Sequence, residues 1–97
     1  MKKIDLTSYI FNDGAYDVKT AIVNLLFNPE LKLSARDLIL QDKLATKVET
    51  SEDTILLEDA EYTKIKTAVE SFKKYGRGDA QFISRILDAE EVKVKEA

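Results

Sequence analysis

Both ends of the chain alternate between hydrophobic and polar positions, whereas the segments between them repeat at helical spacing. Residues 3–11 have a period of two, which predicts a strand. Its apolar side consists of Ile4, Leu6 and Ile10. The cluster Asn12-Asp13-Gly14 ends this strand. Residues 91–95 alternate again, and we expect them to pair with the first strand, because each strand would otherwise leave an unpaired edge.

Two helices are predicted next, each with a capping residue at its start. Asp17 caps the first helix, because its carboxylate can accept bonds from first-turn amides. That helix ends by Asn28, since the following proline disfavours helical geometry there. Ser34 caps the second helix, with Asp37 at the capping-box position, and the pattern continues to about Val48. Its inward positions are predicted to be Leu38, Leu40 or Gln41, Leu44, Ala45 and Val48.

The second half of the chain predicts two more helices and a short extended segment. The third helix begins at Glu58 or Asp59 and stops at Gly76. Asp79 caps the fourth helix, whose apolar face is Phe82, Ile83, Ile86 and Leu87. Before the third helix, Thr54-Ile55-Leu56-Leu57 favours a buried strand or an extended lead-in to that helix.

These elements, in 97 residues, predict a single domain over residues 1–97 of the α+β class. About four helices pack on a small sheet formed by the N- and C-terminal strands, with the central segment as a further strand. A hydrophobic content of 44% and a single proline are typical of a globular chain that folds on its own.

Composition excludes several kinds of chemistry. The chain has no cysteine and no histidine, which removes disulfides, thiolate nucleophiles, cysteine zinc sites and the commonest general base. We therefore predict no enzyme activity, no catalytic residues, no cofactor and no metal site. No apolar run reaches the roughly 20 residues that cross a bilayer, and the first residues do not resemble a signal peptide. The expectation is a cytoplasmic protein that does not enter membranes.

Charge is unevenly distributed, although the net charge is only −3. Residues 49–61 contain six acidic residues and no basic one, and we predict that Glu49, Glu52 and Asp53 contact a partner. An ordinary solvated loop and helix cap is the alternative. Tyr9 and Phe11 are predicted aromatic anchors, because one face of a small sheet must stay uncovered or meet a partner.

A basic segment follows the third helix. Its residues Lys73, Lys74, Tyr75, Arg77 and Arg85 combine cations with an aromatic ring, which suggests phosphate or single-stranded nucleic acid as a ligand. A helix C-cap followed by a linker is the alternative interpretation. The third and fourth helices also have the spacing of a helix-turn-helix, but a net negative domain is atypical of sequence-specific DNA binding.

Part of the chain is similar to small, uncharacterised proteins encoded by bacteriophages. The matching residues are Lys43-Leu44-Ala45, Val48, Leu56-Leu57-Glu58-Asp59-Ala60-Glu61-Tyr62, Ile65, Ala68-Val69-Glu70 and Arg85-Ile86-Leu87. The resemblance implies a compact accessory protein acting by binding in an infected cell or a virion. We therefore expect a non-enzymatic protein–protein interaction module, a phage-type accessory, assembly or host-modulating protein, whose partner is another protein or copies of itself. A nucleic-acid-binding protein is the alternative.

Overall fold

Strands from the two ends of the chain meet in one antiparallel sheet in the computed structural model, which describes residues 1–93. Strand β1 (Lys2–Asp5) lies between β4 (Thr54–Leu57) and β5 (Glu90–Glu91). Ile4 pairs with Ile55 across the β1–β4 register, and Lys2 pairs with Glu91 on the other side. The predicted pairing of the terminal strands is confirmed, as is the central strand. Val94 and Lys95 of the predicted last strand lie outside the described residues.

The prediction of one strand over residues 3–11 is wrong, because the chain turns after β1. The Asp5 carboxylate accepts hydrogen bonds from the backbone N and the hydroxyl of Thr7, at 2.9 and 2.6 Å. Strand β2 (Tyr9–Phe11) then forms a separate hairpin with β3 (Gly14–Tyr16). The turn residues Asn12 and Asp13 have φ values of 49° and 64°. Consequently Ile10 is 79% exposed and does not share the inner side with Ile4.

Four helices complete the α+β fold and follow the predicted order. They are α1 (Val18–Leu26), α2 (Ala35–Thr50), α3 (Asp59–Ser71) and α4 (Ala80–Leu87), with short 3₁₀ turns at Pro29–Leu31 and Arg77–Asp79. Two predicted caps are confirmed: Asp17 accepts a bond from the backbone N of Thr20, and Ser34 accepts one from that of Asp37.

Helix α3 ends at Ser71, five residues before the predicted stop at Gly76. Phe72 leaves the helix with extended backbone angles, and its ring packs edge-on against Tyr75, with the ring centroids 4.9 Å apart. The Tyr75 hydroxyl donates to the carbonyl of Val69 at 2.8 Å, which satisfies one of the carbonyls that a helix end leaves unpaired. Local packing of two aromatic rings therefore accompanies the end of α3, ahead of the predicted stop at Gly76.

The core lies between the sheet and the helices. Its largest fully buried side chains are Phe82, Ile4, Ile22, Leu26, Leu57, Ile65 and Ile86. Helix α2 contributes Gln41, Leu44, Ala45 and Val48. Gln41 is buried because its side-chain amide donates to the carbonyl of Leu26 at 3.2 Å, next to the end of α1. The expectation that Leu38 also faces inward is wrong, because Leu38 is exposed. Of the two alternatives Leu40 and Gln41, Gln41 is the inward residue.

Candidate partner-binding surface

The first two turns of α2 project from the core. Residues 34–40 are all exposed, and Gln41 is the first buried residue of the helix. Three consecutive hydrophobic residues lie in this part: Leu38, Ile39 and Leu40 are 48%, 58% and 43% exposed. A run of large exposed apolar side chains on a helix is unusual in a monomer, and it marks a surface that a partner can cover.

Helix geometry explains why these side chains cannot all be inside. Successive residues are about 100° apart, so three in a row extend over more than half of the circumference. Val48 is completely buried and lies about two and a half turns beyond Ile39, which places Ile39 on the opposite face of the helix. Leu38 and Leu40 lie on the two flanks. Packing against this protein's own core therefore cannot bury all three.

Phe27, at the C-cap of α1, extends this apolar surface. It lines an open groove of about 320 Å³ together with Leu38, Ile39 and Asp42. A second groove, on the other flank of α2, has a volume of about 530 Å³ and is lined by Ala35, Arg36, Ile39, Leu40 and Lys43. Ile39 belongs to both grooves and is the centre of the surface. We call Phe27, Leu38, Ile39 and Leu40 the α2 patch.

Two cations border the α2 patch on one flank. Arg36 and Lys43 both line the larger groove, and both are exposed. Among residues 1–93, the ion pairs within 4.0 Å involve other cations: the amino terminus, Lys2, Lys47 and Arg85. Arg36 and Lys43 are thus available for a carboxylate from outside, so the patch combines apolar anchors with positive charge.

The predicted acidic contact residues lie together at the other end of α2. Glu49 is in the last turn of the helix, and Glu52 and Asp53 lie in the connection to β4, all exposed. The backbone here is held to other elements: the Lys19 ammonium donates to the carbonyl of Ser51, and the carbonyl of Asp53 accepts from the backbone N of Leu6 at 2.7 Å. The three carboxylates remain on the surface, and their partner-binding role stays a prediction.

The two predicted aromatic anchors pack on a different segment, around the turn before α4. The Tyr9 hydroxyl donates to the carbonyl of Gly78 at 2.6 Å and accepts from the backbone N of Phe82 at 3.2 Å. Its ring stacks on Tyr16, with a centroid distance of 4.7 Å. The ring of Phe11 lies so close to Gly78 that a Cβ there would be 2.7 Å from Phe11 Cδ1. Both residues therefore hold the β2–β3 hairpin to the body of the protein, and the Tyr9 hydroxyl is fully used in doing so.

The structure separates the predicted nucleic-acid residues into two groups. Lys73, Lys74 and Arg77 are exposed, whereas Tyr75 is partly buried on Phe72. Arg85 is engaged inside the fold. Its Nη1 donates to the carbonyls of Asp5 and Thr7 at 3.3 and 2.5 Å, and its guanidinium carbon lies 5.2 Å from the centre of the Tyr9 ring. Three cations thus remain accessible for phosphate contacts, without a free aromatic ring.

Three tyrosines, Tyr9, Tyr16 and Tyr75, lie around Asp79. The Tyr16 hydroxyl donates to the Asp79 carboxylate at 2.5 Å. Burial, followed by this bond and the negative charge of Asp79, raises the pKa of Tyr16 well above its ordinary value of 10.0. Burial likewise raises the pKa of Tyr9 and Tyr75. The raised pKa values keep these hydroxyls protonated, and each of the three donates a hydrogen bond.

The described residues contain no group of three or more acidic side chains arranged to hold a metal ion. Across residues 1–93, no helix combines the length and the apolar composition that crossing a bilayer requires. The chain matches no protein-family model, and comparison with curated proteins and with solved structures finds no match either.

Sequence reasoning missed the α2 patch, although a signal was present. The helical pattern predicts Leu38, and either Leu40 or Gln41, as inward residues, and it predicts no role for Ile39. When three adjacent residues of a helix are large and apolar, at least one of them must point outward, since only about a third of the helix circumference faces a core. The run itself therefore predicted an exposed hydrophobic position.

Proposed function

We propose that this protein is a non-enzymatic protein–protein interaction module that binds its partner through the α2 patch. The observation that supports this most directly is the projection of residues 34–40, with Leu38, Ile39 and Leu40 exposed around one helix. An exposed helix that carries large apolar side chains is a common way for one protein to fill a groove of another. A phage-type accessory, assembly or host-modulating role is the setting we propose for it, on the sequence resemblance described above.

The energetics of the patch agree with this proposal. Fully burying a Leu or Ile side chain is worth about 1.5–3 kcal/mol, and these three are roughly half exposed. Covering them yields about half of that amount for each side chain, concentrated within one helical turn. Such a cluster is large enough to act as the centre of an interface, with Arg36 and Lys43 as a charged rim.

Site-specific photo-crosslinking in the source cells tests the proposal. A photoreactive phenylalanine analogue at position 39 should give a discrete cross-linked protein, identified by mass spectrometry. The matched control places the same analogue at Lys66, an exposed position of α3. Comparable products from both positions, or none from position 39, would contradict a role of the α2 patch in binding.

Nucleic-acid binding is the second candidate, and one observation favours it. Lys73, Lys74 and Arg77 are exposed within five residues, and the ion pairs of residues 1–93 do not use them. Three phosphate contacts on duplex DNA predict a loss of affinity of about 40-fold between 50 and 200 mM salt. Fluorescence titration with labelled single- and double-stranded DNA and RNA measures this dependence. Absence of binding at low salt would eliminate this candidate.

A further inference from the structure

Another exposed hydrophobic residue, outside the α2 patch, lies on the edge strand β4 of the sheet. Leu56, in β4, is 41% exposed. Within residues 1–93, β4 has a neighbouring strand on one side, where Leu56 pairs with Lys3 of β1. Acidic residues precede and follow this strand. We call Leu56 together with Glu52, Asp53, Glu58 and Asp59 the acidic edge; all five residues are exposed.

The acidic edge and the α2 patch have complementary chemistry. Each has an exposed aliphatic centre, Leu56 in one and Ile39 in the other. Arg36 and Lys43, which form no ion pair among residues 1–93, border the patch on the flank of the larger groove. Asp42 lies on the other flank, and four carboxylates border the edge. Opposite charges around apolar centres direct association and set the register of two surfaces. The same chain therefore carries a surface, the acidic edge, that can offer an apolar contact to Ile39 and negative charge to Arg36 and Lys43.

One molecule cannot bring its own two surfaces together. The acidic edge follows the C-terminal end of α2, and the helix from Ile39 to Thr50 is about 16 Å long at 1.5 Å per residue. The Lys47–Glu61 ion pair, at 2.8 Å, also holds the start of α3 beside the last turns of α2. A contact between the patch and the acidic edge must therefore join two copies of the chain.

Charge argues against the simpler alternative, in which the α2 patches of two copies face each other. In a two-fold, antiparallel pairing centred on Ile39, each flank of α2 meets the same flank of the second copy. Arg36 and Lys43 lie on one flank, lining the same groove. Arg36 would then face Lys43 of the second copy, and like charges oppose that arrangement.

We infer that the partner seated on the α2 patch is a second copy of this chain, which contributes its acidic edge in a head-to-tail contact. This inference rests on the proposed function, because it names the occupant of the same surface. Each copy keeps one patch and one acidic edge, so the contact can repeat. A repeating contact of this kind produces a closed ring or an open filament, depending on the rotation between neighbours.

Two variants, each with one surface disabled, test the inference. The patch variant is Ile39→Glu, and the edge variant combines Glu52→Lys with Asp53→Lys. Analytical ultracentrifugation should show concentration-dependent association of the unmodified protein and at least tenfold weaker association of each variant alone. An equimolar mixture should form a 1:1 dimer and nothing larger, because the mixture holds one intact patch and one intact edge for each pair of molecules.

Matched controls exclude effects of charge alone. Thr67→Glu introduces the same charge as the patch variant at an exposed position of α3. Glu30→Lys with Glu70→Lys reproduces the charge change of the edge variant at two exposed positions. Both controls should associate like the unmodified protein. Thermal unfolding of every variant verifies that it folds, and all the altered side chains are exposed.

Three outcomes would overturn the inference, and they differ in what they say about the proposed function. A protein that stays monomeric at about 1 mM has no useful self-affinity. If position 39 still cross-links to a different protein, the interaction function stands with another partner; if it cross-links to nothing, both proposals are wrong. Undiminished association of the edge variant would mean that two patches pair with each other. Association of the patch variant would place the contact elsewhere on the surface.

Discussion

At the scale of single residues, the turn at Gly76–Asp79 depends on side chains that are distant in sequence. Asp79 accepts bonds from the Tyr16 hydroxyl and from the backbone N of Gly76, the latter at 2.8 Å. Gly78 carries the carbonyl that accepts from Tyr9 and packs under Phe11. Asp79 is the N-cap residue of α4, as predicted, but its carboxylate does not cap the helix and instead accepts bonds from Gly76 and Tyr16. The bond with Tyr16 joins residues 63 positions apart, so the sequence pattern did not predict it.

Tyr16→Phe should destabilise the protein by about 1.5 kcal/mol, since it removes a hydrogen bond to a charged acceptor. The pKa of Tyr16 is raised in the folded state. The contribution of Tyr16 to the free energy of unfolding is therefore complete below the ordinary pKa of 10.0 and is lost as the pH rises beyond that value. Urea unfolding at pH 8 and at pH 11 measures both effects. Equal loss of stability above pH 10 in the variant and the unmodified protein would show that Tyr16 does not drive the alkaline transition.

Gly78→Ala should cost about 1–3 kcal/mol, because the new Cβ would overlap the Phe11 ring. The same substitution in a Phe11→Ala background should cost clearly less, since the overlapping ring is gone. A double-mutant cycle from denaturant unfolding isolates this coupling. Additive effects of the two substitutions would contradict the proposed contact.

At the scale of elements, local signals predicted helices well and their ends less well. Asp17 and Ser34 cap their helices as expected, since an N-cap bonds within four residues. The end of α3 involves the packing of Tyr75 on Phe72, and the β2–β3 hairpin involves positive φ values at Asn12 and Asp13. Both features are also local, but the same residue types can continue a helix or a strand, so the pattern alone did not predict them. The candidate surfaces differ in the same way. The acidic residues form a charge run that the sequence shows directly, whereas the exposure of residues 34–40 depends on which elements pack beside α2.

Truncation to alanine should lower the free energy of unfolding strongly on the buried face of α2 and only slightly on its exposed face. Leu44→Ala should cost about 2–5 kcal/mol, because Leu44 is buried and leaves a cavity. Ile39→Ala should change stability by less than about 0.5 kcal/mol, as expected for an exposed side chain on a helix. Guanidinium unfolding of dilute protein compares the two variants. A large loss for Ile39→Ala under conditions where the protein is monomeric would mean that the patch is packed within one molecule.

At the scale of the whole molecule, negative and positive charge concentrate at opposite ends of α3. Glu58 and Asp59 start the helix, and Lys73 and Lys74 follow its end, roughly 20 Å away for a helix of this length. The charge runs were visible in the sequence. The predicted third helix also placed them at opposite ends, although the structure ends this helix at Ser71 and not at Gly76.

Acid should destabilise the fold through carboxylates distributed over its elements. Hydrogen bonds from Thr7 lower the pKa of Asp5, and a backbone bond from Thr20 lowers that of Asp17. Burial opposes the ionisation of Glu61, but bonds from Lys47 and Glu58 outweigh it and lower its pKa. Because these pKa values are lowered in the folded state, the ionised carboxylates stabilise the fold above about pH 4, and this stabilisation is lost as the pH falls. Thermal unfolding between pH 6 and 2.5 measures this loss.

Asp17→Asn provides the control for that pH dependence, because asparagine also caps helices but does not titrate. The variant should match the unmodified protein near pH 3 more closely than at pH 6. A pH profile identical to that of the unmodified protein would show that Asp17 contributes nothing to the acid transition.

The meeting of the two ends in one sheet has a mechanical consequence. Met1 and Val92 are bonded to each other, with the backbone N of Val92 donating to the carbonyl of Met1 at 2.7 Å. A force that separates these two residues acts across the strands and loads the bonds of β5 one after another, beginning at the outermost. The protein should therefore begin to unfold at low force by peeling. Strand β5 should detach from β1 while the helical core is still folded.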